Sequence, residues 1–278
     1  MILFPNAKIN LGLHITARRA DGYHDLDTVF YPIPLCDSLE VVPRETDNDI
    51  ADDCLLHLLG AELEGDATEN LVVRAYRRLK AVYPMLPPVE VWLYKRIPSG
   101  AGLGGGSADA TFMLRLLNRL FCLGLTDEAL ATHAAALGAD CPFFVYNTPA
   151  RATGTGNVFT PVTPVLAGYN IMVVKPPVFV STREAFSRVT PAPPNVPLNE
   201  RIARPVATWR DTLVNDFEQS LFPLHPELKE IKEALYRHGA TYASMSGSGS
   251  ALYALFAPGM PLPDASLFST CSVWTGAL

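Results

Sequence analysis

No CxxC pair occurs in the chain: Cys36, Cys54, Cys122, Cys141 and Cys271 are scattered and odd in number, which excludes a sequence-local zinc site and a closed disulfide set. The six histidines show no HxxxH or HExxH spacing, so the helical zinc-hydrolase pattern is missing as well. Basic residues are scarce, 22 against 28 acidic, and the formal charge of -6 argues against a nucleic-acid or anionic-membrane partner. A bound polyanion must therefore be small and held locally. No stretch approaches the roughly 20 apolar residues that span a bilayer. The opening MILFPNAKIN has no basic segment leading into a long apolar run. No signal or transit peptide is expected, which favours a bacterial cytoplasm over a plastid, and a reduced cytoplasmic compartment fits the cysteine usage. Charged residues make up 18% and hydrophobic residues 49%, which leaves no room for long disorder and suits a soluble enzyme. At 278 residues the chain has length for two modest domains, each with its own core.

Along the chain, AKINLGLHITARR alternates Ile9, Leu11, Leu13 and Ile15 with Asn10, Gly12, His14 and Thr16, the pattern of a strand with one buried face. DSLEVVPRE and VEVWLYKRI read as further strands. Between them, Val72, Tyr76, Leu79 and Tyr83 recur at helical spacing, with Thr68 as the predicted N-cap and Pro84 as the stop. Met113, Leu116, Leu117, Leu120 and Phe121 predict a second helix starting near Ser107 and ended by Gly124. DEALATHAAAL predicts a third, closing at Gly138, after which ADCPFFVYNT reads as a return toward strand. Proline and glycine density rises over 161–168, which sets the expected boundary between domains at 1–162 and 163–278. Beyond it, YNIMVVKP reads as a strand, TPAPPNVPLNE as a loop, HPELKEIKEALYRHG as a helix with Pro226 in its first turn, and ATYASM and SALYALFA as strands. Strands and helices interleave without a strict βαβ repeat. The predicted class is α+β.

The segment PSGAGLGGGSAD places five glycines in the seven positions 100–106, at a strand-to-helix junction. Gly100, Gly102 and Gly105 satisfy GxGxxG, but a Rossmann unit needs a strand with an acidic end after the helix, and here a second helix follows. A P-loop needs GxxxxGK[ST]; this run ends GGGSAD without lysine. Neither HRD nor DFG is present, which removes the protein-kinase pattern. What remains is a glycine loop opening a helix, where backbone amides and the helix dipole converge on an anion and the Ser107 hydroxyl adds a donor. A long turn capped by Ser107 is the plain structural alternative. TGTG at 153–156 adjoins no helix start and reads as a turn.

PSGAGLGGGSAD closely resembles the phosphate-binding motif of the galactokinase, homoserine kinase, mevalonate kinase and phosphomevalonate kinase (GHMP) superfamily. PNAKINLGL and SMSGSGSA stand where that family has its two companion motifs, and ADGYHDLDTVF, ENLVVRA, LGADCPFF and NDFE extend the resemblance nearly end to end. It implies a two-domain GHMP kinase fold, with an N-terminal domain like domain 2 of ribosomal protein S5 and a ferredoxin-like C-terminal domain. It also implies ATP with Mg²⁺ as cofactors, and as substrate a small molecule, an alcohol carried on cytidine diphosphate, the cytidine diphosphate methylerythritol type. No nucleic-acid or membrane partner follows from it, and a monomer or weak homodimer is expected.

Residue by residue, the resemblance implies Asp140, in LGADCPFF, as the catalytic base, with Lys8 close to it, holding the carboxylate ionised and lowering the pKa of the substrate hydroxyl. Pro98, Ser99, Gly100, Ala101, Gly102, Leu103, Gly104, Gly105, Gly106 and Ser107 would hold the ATP phosphates, with Asn70 and Lys95 near its adenosine. Tyr23 and Phe186 would flank the cytosine and His24 would bond its edge. Asn10, Phe30 and Thr182 complete the substrate set, and Ser246, Gly247, Ser248 and Gly249 would shape the cleft. Read alone, each has a structural alternative: Asp140 a turn residue, Lys8 a strand-edge charge, Asn70 a first-turn helix residue, Lys95 a strand-end charge, the SGSG a hairpin loop. A sister kinase acting on homoserine or a mevalonate, or a catalytically silent sensor on the same fold, are the rival functions.

Overall fold

Alternating and apolar segments form strands close to where the pattern puts them. A computed structural model describes residues 1–45, 53–60 and 67–278. The chain runs β1 (Ile2–Leu3), β2 (Asn6–Arg18), β3 (His24–Cys36), β4 (Ser38–Pro43), β5 (Cys54–Gly60), α1 (Leu71–Val82), β6 (Val89–Lys95) and α2 (Gly105–Leu120). There follow α3 (Asp127–Ala135), one-turn α4 (Phe143–Tyr146), β7 (Ala150–Thr153), β8 (Val158–Pro161), β9 (Asn170–Lys175), α5 (Thr182–Phe186) and α6 (Leu198–Ile202). The chain closes with α7 (Asp216–Leu221), α8 (Pro226–Arg237), β10 (Tyr242–Met245), β11 (Leu252–Phe256) and β12 (Ser272–Ala277).

Packing divides the chain into two units. The first holds Met1–Ala7, Leu35–Ser99 and Gly104–Asn147; the second holds Lys8–Pro34, Gly100–Leu103 and Thr148–Leu278. In the first, the sheet β1-β4-β6-β5 is antiparallel except for the parallel β5/β6 pair. Helices α1 and α2 pack on each other and on this sheet. Val72, Tyr76 and Leu79 of α1 and Met113, Leu116 and Leu117 of α2 are buried with Leu39, Val41, Val91 and Leu93 of the strands. Each such side chain contributes about 1.5–3 kcal/mol by leaving water.

The second unit contains the sheets β2-β3-β7-β8 and β10-β11-β9-β12. A core of Leu13, Ile15, Met172, Val174, Phe217, Leu228, Leu252 and Phe256 joins β2, β9, α7, α8 and β11. The antiparallel register Leu252↔Val174↔Val273 fixes which strand faces reach that core.

Three local expectations change. The polar face of β2 is not solvated: all ten residues Asn6–Ile15 are buried, so Lys8, Asn10 and His14 are interior groups. Asn70, not Thr68, caps α1, its Oδ1 accepting from Val72 N at 2.9 Å, because Thr68 lies in the preceding 3₁₀ turn. After Asp140 the chain forms the single turn α4 instead of returning to strand, since Phe143, Phe144 and Val145 are all buried and the turn ends at Asn147 in the left-handed conformation.

Candidate active site

Helix α2 begins in an unusual way. Its N-cap is Gly104 at φ +72°, a left-handed conformation open to glycine, and no side chain caps it. By contrast, Asn70 caps α1 and Thr126 caps α3. The first intrahelical bond runs from Ala108 N to Gly104 O at 2.9 Å, which leaves the amides of Gly105, Gly106 and Ser107 without an acceptor in the helix. A 16-residue helix adds its dipole to those donors, an arrangement suited to phosphate. The segment carrying Asp140 packs against the same turn. Thr111 Oγ1 lies 2.8 Å from both Ser107 O and Cys141 O, and a Cβ on Gly138 would stand 3.9 Å from Ser107 Oγ. Asp140 is half-buried there. Burial pushes the Cys141 thiol up to about 11, so it is a packing group and not a nucleophile.

Lys95 sits below the helix start. A Cβ on Gly105 would come within 3.4 Å of its Nζ and 2.8 Å of Ile97 Cγ2, so position 105 admits no side chain without a shift. The ammonium pairs with Asp109 Oδ2 at 2.5 Å and with Asp37 Oδ2. The ammonium thus donates to two buried carboxylates, and the Oδ1 of Asn70 is engaged in its cap.

Pro98 and Ser99 belong to the first unit, and the remaining predicted residues belong to the second. Lys8 Nζ donates to Asn10 Oδ1 at 2.7 Å and stands 4.5 Å from the centroid of Phe30. Asn10 Nδ2 donates to Thr28 Oγ1 at 2.9 Å, and Asn10 O accepts from Tyr253 OH at 2.7 Å. Asn10 is thereby fixed on three sides and aims its carbonyl oxygen at the ammonium. The glycine segment and the SGSG meet closely: Ser246 Oγ donates to Gly102 O at 2.9 Å, Ala251 N to Ala101 O at 3.2 Å, and Asn215 Nδ2 to Gly247 O at 2.9 Å. Tyr23, His24, Thr182 and Phe186 line one cavity of about 660 Å³, with Arg18 and Arg183 also in its wall. His24 stacks on Phe186 at 4.7 Å between centroids, while Tyr23 is exposed. Lys8 and Asp140 fall in different units.

Sequence reading missed Asp37, Asp109, Thr28 and Tyr253. Asp109 stands inside the quoted glycine motif, but nothing local marks it as a partner of Lys95, fourteen residues away and on a different element. Among the described residues no group of three His, Cys, Asp or Glu side chains is placed to hold a metal ion, and no helix is long and apolar enough to cross a membrane.

Known proteins resemble the chain along nearly its whole length. The chain matches the description "GHMP kinases N terminal domain" over residues 70–148 and "GHMP kinases C terminal" over 202–265. It is 57% identical over 258 residues, 93% of each chain, to 4-diphosphocytidyl-2-C-methyl-D-erythritol kinase of Bacteroides fragilis. A crystal structure of 4-(cytidine 5'-diphospho)-2C-methyl-D-erythritol kinase superposes with a TM-score of 0.83 at 33% identity, covering 99% of this chain and 98% of that one. Mevalonate kinase of Methanococcus jannaschii, at 14% identity and a TM-score of 0.71 over 99% of this chain and 97% of that one, shares the fold. With both superfamily segments matched and the identity sustained along nearly its whole length, the chain belongs to the 4-diphosphocytidyl-2-C-methyl-D-erythritol kinases, ATP-dependent phosphotransferases of the GHMP superfamily.

Proposed function

We propose that the chain transfers the γ-phosphoryl group of ATP to the 2-hydroxyl of 4-diphosphocytidyl-2-C-methyl-D-erythritol, in the non-mevalonate route to isoprenoid precursors. The observation that carries the nucleotide half is the uncapped, glycine-opened N-terminus of α2. Gly100–Ser107 hold the phosphates through main-chain amides, and Lys95 supports that turn from below. Mg²⁺ carried on the polyphosphate would neutralise part of its charge, while the main-chain amides of Gly100–Ser107 would hold the phosphates it accompanies.

Asp140 takes the proton of the acceptor hydroxyl as its oxygen bonds to the γ-phosphorus and the bond from that phosphorus to the departing ADP breaks, and Lys8, steadied by Asn10 and Phe30, stabilises the developing negative charge. The aromatic cavity of Tyr23, His24 and Phe186 takes the cytosine, and Thr182 the neighbouring phosphates. The protein acts on this small molecule as a cytoplasmic monomer or weak homodimer, with the two domains meeting in sequence at 162/163. A coupled ADP-release assay offering the cytidine diphosphate alcohol beside homoserine and mevalonate tests the substrate: turnover is expected with the first alone. Asp140→Asn is expected to lower kcat by about 10²–10⁴-fold while nucleotide binding stays nearly unchanged. Full activity in that variant removes the base assignment.

A further inference from the structure

Beneath the first turn of α2 one ammonium serves two carboxylates. Lys95, Asp37 and Asp109 are all buried, at 4% exposure or less. The two acids differ in how their oxygens are used. Asp37 gives Oδ2 to Lys95 and accepts at Oδ1 from the amides of Arg96 (2.5 Å) and Ile97 (2.8 Å). Asp109 gives Oδ2 to Lys95, but its buried Oδ1 has no hydrogen-bond partner. A bare carboxylate oxygen in the interior is costly, whereas a carboxylic acid hydroxyl there is less so. With both acids ionised the cluster carries one net negative charge; with a proton on Asp109 it is neutral. That charge lies one helical turn from Gly105, directly under the amides that face the anion site.

We propose that Asp109 is a positioning residue that takes up a proton when a nucleotide polyphosphate occupies the glycine segment, so that the buried cluster passes from net negative to neutral as the anion arrives. This rests on reading that segment as the nucleotide site. The proton comes from solvent and goes to Asp109, Lys95 remains an ammonium, and no other group changes charge. Burial already pushes the Asp109 carboxyl up to about 7, with Asp37 adding to the rise and Lys95 opposing it. These are the charged groups that face it, Lys95 from β6 and Asp37 from the turn between β3 and β4. A second anion close above favours the protonated form further, and by linkage the nucleotide binds more tightly wherever the proton is already present.

Titration calorimetry with ADP in two buffers of unlike ionisation enthalpy, between about pH 7.5 and 9, counts the protons. The wild-type chain is expected to take up as much as one proton per ADP, and its Kd to rise by as much as about tenfold per pH unit. Asp109→Asn is expected to bind without proton uptake and to keep the low-pH affinity throughout. Equal uptake in both proteins overturns the inference, as does a wild-type chain that binds ADP with none. Should the variant not fold, the wild-type count decides alone. Absence of ADP binding in the wild type instead brings down the nucleotide-site reading, and the inference with it.

Discussion

Replacing Gly102 by alanine tests the way the glycine segment is held. Gly102 has φ +74°, where an L side chain costs about 1–2 kcal/mol. An added Cβ would stand 1.9 Å from Ser246 O, where ordinary contact begins at 3.4 Å, so two backbones must part by about 1.5 Å. Neither is a flexible side-chain tip. Parting them breaks Ser246 Oγ to Gly102 O and strains Ala251 N to Ala101 O, each worth about 1 kcal/mol net. The sum is about 3–4 kcal/mol, which for a chain of this size lowers Tm by roughly 6–16 °C. Gly106→Ala is the matched control: its Cβ meets Leu71 Cδ1 at 3.6 Å, φ is helical, and alanine favours the helix, so Tm should hold or rise slightly. Thermal denaturation and kcat/KM from ADP release read both variants. If Gly102→Ala melts with the wild type and keeps its kcat/KM, the close approach of these two segments is not what fixes the loop.

Two further outcomes follow from the second unit and from the thiols. Tyr23→Ala should raise KM for the cytidine substrate well beyond any change in KM for ATP, because Tyr23 is exposed and lines the aromatic cavity; equal effects in steady-state kinetics would undo its role as a base-stacking wall. Brief alkylation of the native protein with iodoacetamide near neutral pH, read by peptide mass spectrometry, should label exposed Cys122 before Cys141, which is buried and has a thiol pushed up to about 11. Early labelling of Cys141 would mean that the turn joining it to α2 opens readily.

The motifs were legible because their chemistry is contiguous. A glycine run between an alternating strand and a 3.6-periodic helix signals its own geometry, since glycine favours the left-handed N-cap at 104 and leaves room for the close backbone approach at 102. The same holds for α8, whose Pro226 and Gly239 mark its two ends in sequence, and for the strands flanking the SGSG. The α+β class and the family resemblance followed from these local signals.

Where a polar residue ends up depends on what covers it, and periodicity is silent on that. The alternation of β2 predicted a wet face, yet neighbouring elements cover both faces and turn Lys8 and Asn10 into interior groups that need partners. Thr28 and Tyr253 become those partners through contacts 18 and 243 residues away. Likewise Lys95 was expected near the ATP adenosine or, read alone, as a strand-end charge, and nothing in its own segment pointed to Asp37 and Asp109 as its partners. By itself the sequence determined β2, β4, β6, β9, β10 and β11, the helices α1, α2, α3 and α8, and the glycine segment that opens α2, because each rests on spacing within one segment. Only the tertiary structure decided which charges are buried together, because desolvation and pairing arise between segments that the chain order keeps apart.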